Sequence, residues 1–191
     1  MAFPSSIRNY LDQVAPLPEA FLTQLEALVT RRELSPRDHW SPLGLVQKTV
    51  GILESGVIRA YYSTSHGKEY NGHLYFAPAF VGDYTSIITG QPVITPQQAL
   101  VPCVVWSFPF QAIVDLEDQF PEICRFRRIF AETMYLLKEQ RELEIVTLNA
   151  GQRYQKLKRR VPDIDNMLPQ YEIAAYLGIT PSQLSRIRHS S

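Results

Sequence analysis

Ser182, Ser185, Arg186 and His189 stand at i, i+3, i+4 and i+7 near the end of the chain, so a helix there carries four polar side chains on one face. Such a stripe suits recognition rather than reaction. Hydroxyls, an imidazole and a guanidinium can read base edges in a DNA major groove, where arginine pairs bidentately with guanine. Elsewhere no Ser/His/Asp set, metal-ligand spacing or glycine-rich phosphate loop is visible. No catalysis, no metal site and no cofactor are therefore expected. The plain alternative for the stripe is the solvated face of a helical cap.

The elements around the stripe argue for recognition. Residues 170–189 read QYEIAAYLGITPSQLSRIRH, which fits a helix-turn-helix position by position. Ile173, Leu177, Ile179, Leu184 and Ile187 are apolar where two crossing helices share a core, and Ala174 is small where they approach. Gly178 stands at the turn, which calls for a positive φ. The second helix has its own start: Thr180 as N-cap, Pro181 at the first position, and Gln183 at capping-box spacing. Pro181, Ser182, Gln183, Ser185, Arg186 and His189 are the candidate base readers.

Charge is uneven along the 191 residues, although the net is zero. Residues 151–191 hold seven bases and three acids, against 12 and 16 before them. A basic end on an acidic body points to a polyanion partner for that end. Lys156, Lys158, Arg159 and Arg160 are positioned to add non-specific attraction, and Lys158 and Arg188 are candidate phosphate contacts. No apolar run approaches the roughly 20 residues of a membrane span, and the start lacks a secretory layout. A cytoplasmic protein that does not enter membranes is expected. Cys103 and Cys124 are isolated in apolar surroundings and read as buried thiols.

Along the chain, Ile7, Leu11 and Val14 predict one short helix. Pro18 opens a second, with Phe21, Leu25, Leu28 and Val29 on one face. From about Arg31 to Ser107, β-branched and aromatic runs such as LVQKTVGILE and ALVPCVVWSF predict strands. Ser35-Pro36, Ser55-Gly56, His66-Gly67 and Asn71-Gly72 signal turns. Short strands at this spacing argue for an antiparallel barrel or jelly roll. A long helix follows from about Pro121 to Leu148, with Ile123, Phe126, Phe130, Met134 and Leu137 as a narrow apolar seam. The preferred reading is a seam shared by two subunits, and the alternative is packing on the chain's own barrel. Asn149-Ala150-Gly151 breaks this helix, and a helix near Gln152 to Arg160 and a Pro-bounded loop lead to the terminal motif.

VGILESGVIRAYY, HGKEYNGHLYF, FVGDYTSIITGQP, AGQRYQKL and IAAYLGITPSQLSRIR together resemble the Crp/Fnr family of bacterial transcription regulators. The likeness runs nearly end to end. It implies an α+β fold: a cyclic-nucleotide-binding-like antiparallel β-roll (double-stranded jelly roll) with flanking helices over residues 1–120, a dimerisation helix over 121–149, and a small winged-helix-like helix-turn-helix domain over 150–191. It implies a homodimer on palindromic double-stranded DNA, with the recognition helices about 34 Å apart, and RNA polymerase as a further partner to consider. By position, Arg186 matches the family's recognition arginine, Pro181 and Ser182 replace its other readers, and Gln170, Tyr171 and Thr180 match its phosphate contacts. As the chain finishes at the recognition helix, any wing is expected before Gln170.

The same likeness places an effector pocket at Gly82, Asp83, Val93, Ile94 and Lys138. The family's acid is shortened to Asp83, and Val93 and Ile94 stand where an arginine and a hydroxyl hold the cyclic phosphate. Binding of cAMP or cGMP in the family manner is therefore not expected, and a small-molecule effector stays unidentified. Two scattered cysteines cannot hold an iron–sulfur cluster, and His39, His66 and His73 read as surface histidines rather than haem ligands. A ligand-sensing regulator acting through protein contacts, without specific DNA binding, remains the second reading.

Overall fold

Ile52 and Leu53 are neighbours on one strand and so face opposite sides of its sheet, yet both are fully buried. That sheet must be covered twice, and what covers each face sets the architecture. The computed structural model describes residues 2–189. Two helices, α1 (Ser5–Val14) and α2 (Glu19–Leu28), lead into strands β1 (Thr30–Leu34), β2 (His39–Ser41), β3 (Thr49–Ser55), β4 (Val57–Ser63), β5 (Glu69–Phe76) and β6 (Ala79–Val81). After α3 (Tyr84–Thr89) come β7 (Gln97–Ala99), β8 (Cys103–Pro109) and α4 (Phe110–Asp115). The long α5 (Glu122–Thr147) precedes α6 (Ala150–Arg160), α7 (Ile164–Met167), α8 (Gln170–Leu177) and α9 (Pro181–His189).

The strands form two four-stranded sheets, ordered β1-β8-β3-β6 and β2-β7-β4-β5. Pairing is antiparallel, with Ile52 opposite Trp106 and Ile58 opposite Ala99. Leu53, Val81 and Val105 from the first sheet meet Trp40, Ile58 and Ala99 from the second, which fills the interior of the roll. On the other face, Ile52, Trp106 and Phe108 pack with Ile7 and Leu11 of α1, Phe21 and Leu25 of α2, and Ile123 and Phe126 of α5. Near-continuous apolar runs such as GVI and VVW are thus strands with no solvent face.

The chain divides into two compact units. One comprises residues up to Ala60 with Tyr75–Thr133; the other comprises Tyr61–Leu74 and the chain from Met134 onward. The second unit therefore includes the far ends of β4 and β5 as well as α6 to α9. No strand follows β8 among the described residues, so no wing forms around the helix-turn-helix. Among those residues no helix is long and apolar enough to cross a membrane.

Several expectations need correcting. Asn71-Gly72 is not a turn but lies within β5; the chain reverses at Thr64–Lys68, where the Thr64 amide donates to the Lys68 carbonyl at 2.9 Å. Leu45 and Val46 lie in an exposed loop rather than a strand. Val29 is buried just beyond α2, whereas Leu28 is exposed. Cys103 is buried, but Cys124 is exposed on α5. Ile123 and Phe126 are buried in the chain's own core, and Phe130 packs there through Phe80, with ring centroids 4.8 Å apart. Only Met134 and Leu137 of the expected seam are left exposed, at 36% and 45%. Only the first part of the helix is buried against the chain's own core, and spacing alone does not separate it from the exposed part.

Gly51 lets the roll close. A Cβ there would stand 2.5 Å from Val105 Cγ1, 2.7 Å from Trp40 Cζ2 and 2.9 Å from Val81 Cγ2. All three are core atoms without room to retreat. Gly51→Ala is expected to cost about 1–3 kcal/mol through overpacking, read as a lower urea midpoint with an unchanged m-value; unchanged stability would show that the core is looser than described.

Candidate nucleic-acid interface

The candidate interface is built on a tight turn. α8 ends at Gly178, whose φ of 70° is left-handed, and the Ile179 amide donates back to the Ala174 carbonyl at 3.0 Å. This is a Schellman closure, for which glycine is the residue without a Cβ penalty. Two arginines supply further donors to the helix end: Arg141 of α5 to the Tyr176 carbonyl at 2.6 Å, and Arg153 of α6 to the Leu177 carbonyl at 2.9 Å. The Arg141 guanidinium also lies 4.0 Å from the centre of the Tyr176 ring. Cations at a helix C-terminus also suit its dipole. Burial pulls the Arg141 pKa below its ordinary value.

α9 then starts from a reciprocal cap. The Thr180 amide donates to Gln183 Oε1 at 2.8 Å, and the Gln183 amide donates to Thr180 Oγ1 at 3.2 Å. Leu184, Ile173, Ala174 and Leu177 are buried between the helices. Opposite Leu184, Pro181, Ser182, Arg186 and His189 are exposed and Ser185 is half-buried. His189 Nδ1 lies 2.7 Å from the Ser185 carbonyl one turn back. Gln183, expected among the base readers, has its side-chain oxygen in the cap.

The expected phosphate contacts divide in the same way. Tyr171 and Thr180 are exposed. Gln170 instead spans the two helix starts, its Nε2 donating to the Pro181 carbonyl at 2.6 Å. Arg188 donates to Asp165, which also accepts from the Tyr154 hydroxyl at 2.6 Å and lies 3.5 Å from Lys158 Nζ. Burial raises the Asp165 carboxyl, but the Tyr154 hydroxyl and the Arg188 charge more than offset this and leave it below its ordinary value. Lys158 and Arg188 thus brace α9 from α6 and the start of α7. Among the other bases, Lys156 pairs with Glu144 at 2.8 Å, while Arg159 is exposed.

Of the residues expected at an effector pocket, Gly82 and Asp83 have partners within the fold. The Gly82 amide donates to Gln97 Oε1 at 2.9 Å, and Asp83 caps α3 by accepting from the Ser86 amide at 3.1 Å. Val93 is only 1% exposed, whereas Ile94 is 74% exposed. Lys138 is exposed on α5 in the other unit. Inside the roll, Trp40 Nε1 and Ser41 Oγ are buried without a hydrogen-bond partner.

Sequence reasoning missed the long-range partners. Nothing in the spacing marked Asp165 as the anchor for Arg188, or Arg141 and Arg153 as caps for α8. It also missed His73, which is no surface histidine. Burial above all, then the charges of Arg160 and Arg141, hold its pKa down to about 4 from 6.5.

No protein-family model and no curated protein sequence matches this chain. Solved structures do match. The c-di-GMP responsive global regulator CLP of Xanthomonas campestris is 13% identical with a TM-score of 0.71, over 91% of this chain and 91% of that one. A candidate cAMP-binding regulatory protein from Silicibacter pomeroyi DSS-3 is 22% identical with a TM-score of 0.64, over 97% of this chain and 85% of that one. A candidate transcriptional regulator of the Crp/Fnr family from Eubacterium rectale ATCC 33656 is 12% identical with a TM-score of 0.69, over 91% and 83%.

His73 gives a test of the second unit. The unfolded chain takes up this proton near pH 6.5 and the folded chain near 4, so the unfolded state binds more protons between those values. The stability that neutral His73 provides is full above about pH 6.5 and falls as the pH drops toward 4. The loss is expected to be at most about 3 kcal/mol, and His73→Gln should flatten that part of the stability–pH curve; an unchanged curve would show the imidazole is not desolvated. In its roll, long connecting helix and terminal helix-turn-helix, this chain has the fold of the Crp/Fnr-type transcription regulators.

Proposed function

We propose that the chain is a member of the Crp/Fnr family and regulates transcription by binding a palindromic DNA site as a homodimer. The observation that carries this reading is the face of α9: Ser182, Arg186 and His189 stand exposed on a helix whose start is capped and whose inner side is buried. Arg186 is the guanine reader. Ser182, Ser185 and His189 supply shorter contacts, with Pro181 at the helix tip. Tyr171 and Thr180 flank this face as phosphate contacts, and the exposed Arg159 of α6 adds sequence-independent attraction. The exposed Met134 and Leu137 of α5 favour a second copy of the helix against them. A two-fold pair would set the reading faces about one helical turn of DNA apart. Activity is expected in the cytoplasm, with RNA polymerase as a further partner of the bound dimer.

Some of the neighbours are described as c-di-GMP responsive or cAMP-binding; this chain does not fit a cyclic phosphate. The Gly82 amide already has Gln97 as acceptor, and an apolar pair replaces the arginine and hydroxyl. The effector is therefore a different small molecule, or regulation follows the amount of protein. The internal bonds of Gln183, Gln170 and Arg188 favour a second reading, in which the chain senses a ligand and acts through protein contacts.

Selection from random genomic fragments, repeated at raised salt, separates the two. Enrichment of one palindrome is expected, and Arg186→Ala should weaken binding to it by about 10–100-fold. Salt-sensitive binding without a motif would overturn specific regulation. Leu137→Glu is expected to yield monomers in sedimentation and to lose the preference for paired half-sites; an unchanged oligomeric state would remove α5 as the dimer contact. Arg188→Ala should leave the salt slope of binding unchanged, because its charge is held by Asp165; a drop of about one would make it a phosphate contact.

A further inference from the structure

Asn-Gly is a strong hairpin-turn signal, and asparagine is depleted in strands, yet Asn71-Gly72 lies inside β5. Gly72 is there because the ring of Tyr62 fills its side: a Cβ would fall 2.4 Å from Tyr62 Cε2. Asn71 has a different reason. Its Nδ2 donates to Glu172 Oε2 at 2.7 Å and to the Glu172 main-chain carbonyl at 3.0 Å. Asn71 is 3% exposed and Glu172 is 4% exposed. A carboxylate removed from water is tolerated only with donors on it. An amide that grips both the side chain and the backbone of one residue also fixes where the first turn of α8 lies. Both residues belong to the second compact unit, whereas β4 and β5 each begin or end in the first.

We infer that Asn71 is a positioning residue for the helix-turn-helix, tying α8 to the β4–β5 hairpin through Glu172 and so setting the orientation of the reading face on α9. This rests on the DNA-binding reading above. From α8 the restraint passes to α9 by two routes: the buried contact of Ile173, Ala174 and Leu177 with Leu184, and the Gln170 bond to the Pro181 carbonyl. Asn71 touches no base. Its effect on DNA binding is one of geometry, and geometry is what the separation of two half-sites measures.

The test uses the full-length protein and the palindrome it selects, rebuilt with the half-sites moved closer or farther by about one or two base pairs. Wild type should prefer one spacing. Asn71→Ala should lose about tenfold in affinity at that spacing while changing little at the others, with the same salt slope because no phosphate contact is removed. A loss that is equal at every spacing, or none at all, would overturn the inference. Asn71→Ser, whose hydroxyl is too short to hold both acceptors, gives the same readout should the alanine variant not fold. Asn71→Asp faces Glu172 with a second buried carboxylate and should be worse than alanine. Adding Glu172→Gln restores one bond and should recover part of the spacing preference. Hydrogen exchange without DNA supplies an independent arm. In Asn71→Ala the amides of β5 and α8 should exchange faster together; faster exchange in β5 alone would overturn the tie. If wild type selects no palindrome, the DNA-binding reading fails, and the exchange arm still decides whether Asn71 holds α8.

Discussion

The carbonyls that end α8 have to find donors, and the way they find them governs what α9 presents to solvent. A helix leaves its last four carbonyls without intrahelical partners. Here the Ile179 amide closes one turn by way of the left-handed Gly178, and Arg141 and Arg153 reach the next carbonyls from α5 and α6. Each bond removes a way for α9 to pivot. A charged donor on a carbonyl is stronger than a neutral one, and arginine brings a rigid fork rather than a point charge. The turn is therefore held from two helices at once. The start of α9, with its Thr180 and Gln183 cap, inherits that fixed exit angle.

The same reasoning explains why so few of the polar residues near α9 are available to a partner. Building a small helical unit from α6 to α9 leaves little apolar area, and side-chain polar contacts make up the difference. Gln170, Gln183 and Arg188 are committed to that task, with Asp165 and Tyr154 completing the brace. The residues exposed on and beside the α9 face are few: Pro181, Ser182, Arg186 and His189, with Tyr171 and Thr180 nearby.

Local features were legible in the sequence because their causes are local. The helix-turn-helix, its glycine, the Thr180 cap and the long α5 are each dictated by residues a few positions apart, and all stand where spacing put them. The strands were legible as a region, but their ends were not. Asn71-Gly72 has the chemistry of a turn, yet it lies in a strand paired with β4, with the distant Glu172 on Asn71 and the ring of Tyr62 beside Gly72. The division of α5 was hidden for a similar reason. Ile123 and Phe126 continue the same apolar spacing as Met134 and Leu137, but the first pair meets the chain's own roll. Tertiary partners decide such cases, and no periodicity encodes them. The same holds for the pairing of Arg188 with Asp165, which lie 23 positions apart.

β3 and β8 are covered on both faces, so almost every side chain along them is a volume to be filled rather than a group to be recognised. Cores accept exchange among apolar residues as long as total volume and pattern are kept. Such strands can drift through valine, isoleucine, leucine and phenylalanine without altering the sheet they build. Few positions in the roll are then pinned to a single residue type, Gly51 being one of them. This accounts physically for a chain that superimposes on solved regulators over 91% of its length while sharing only 12–13% of residue identities with two of them. In this molecule, shape constrains the sequence loosely, and residue identity is fixed only where backbone or charge leaves no second choice.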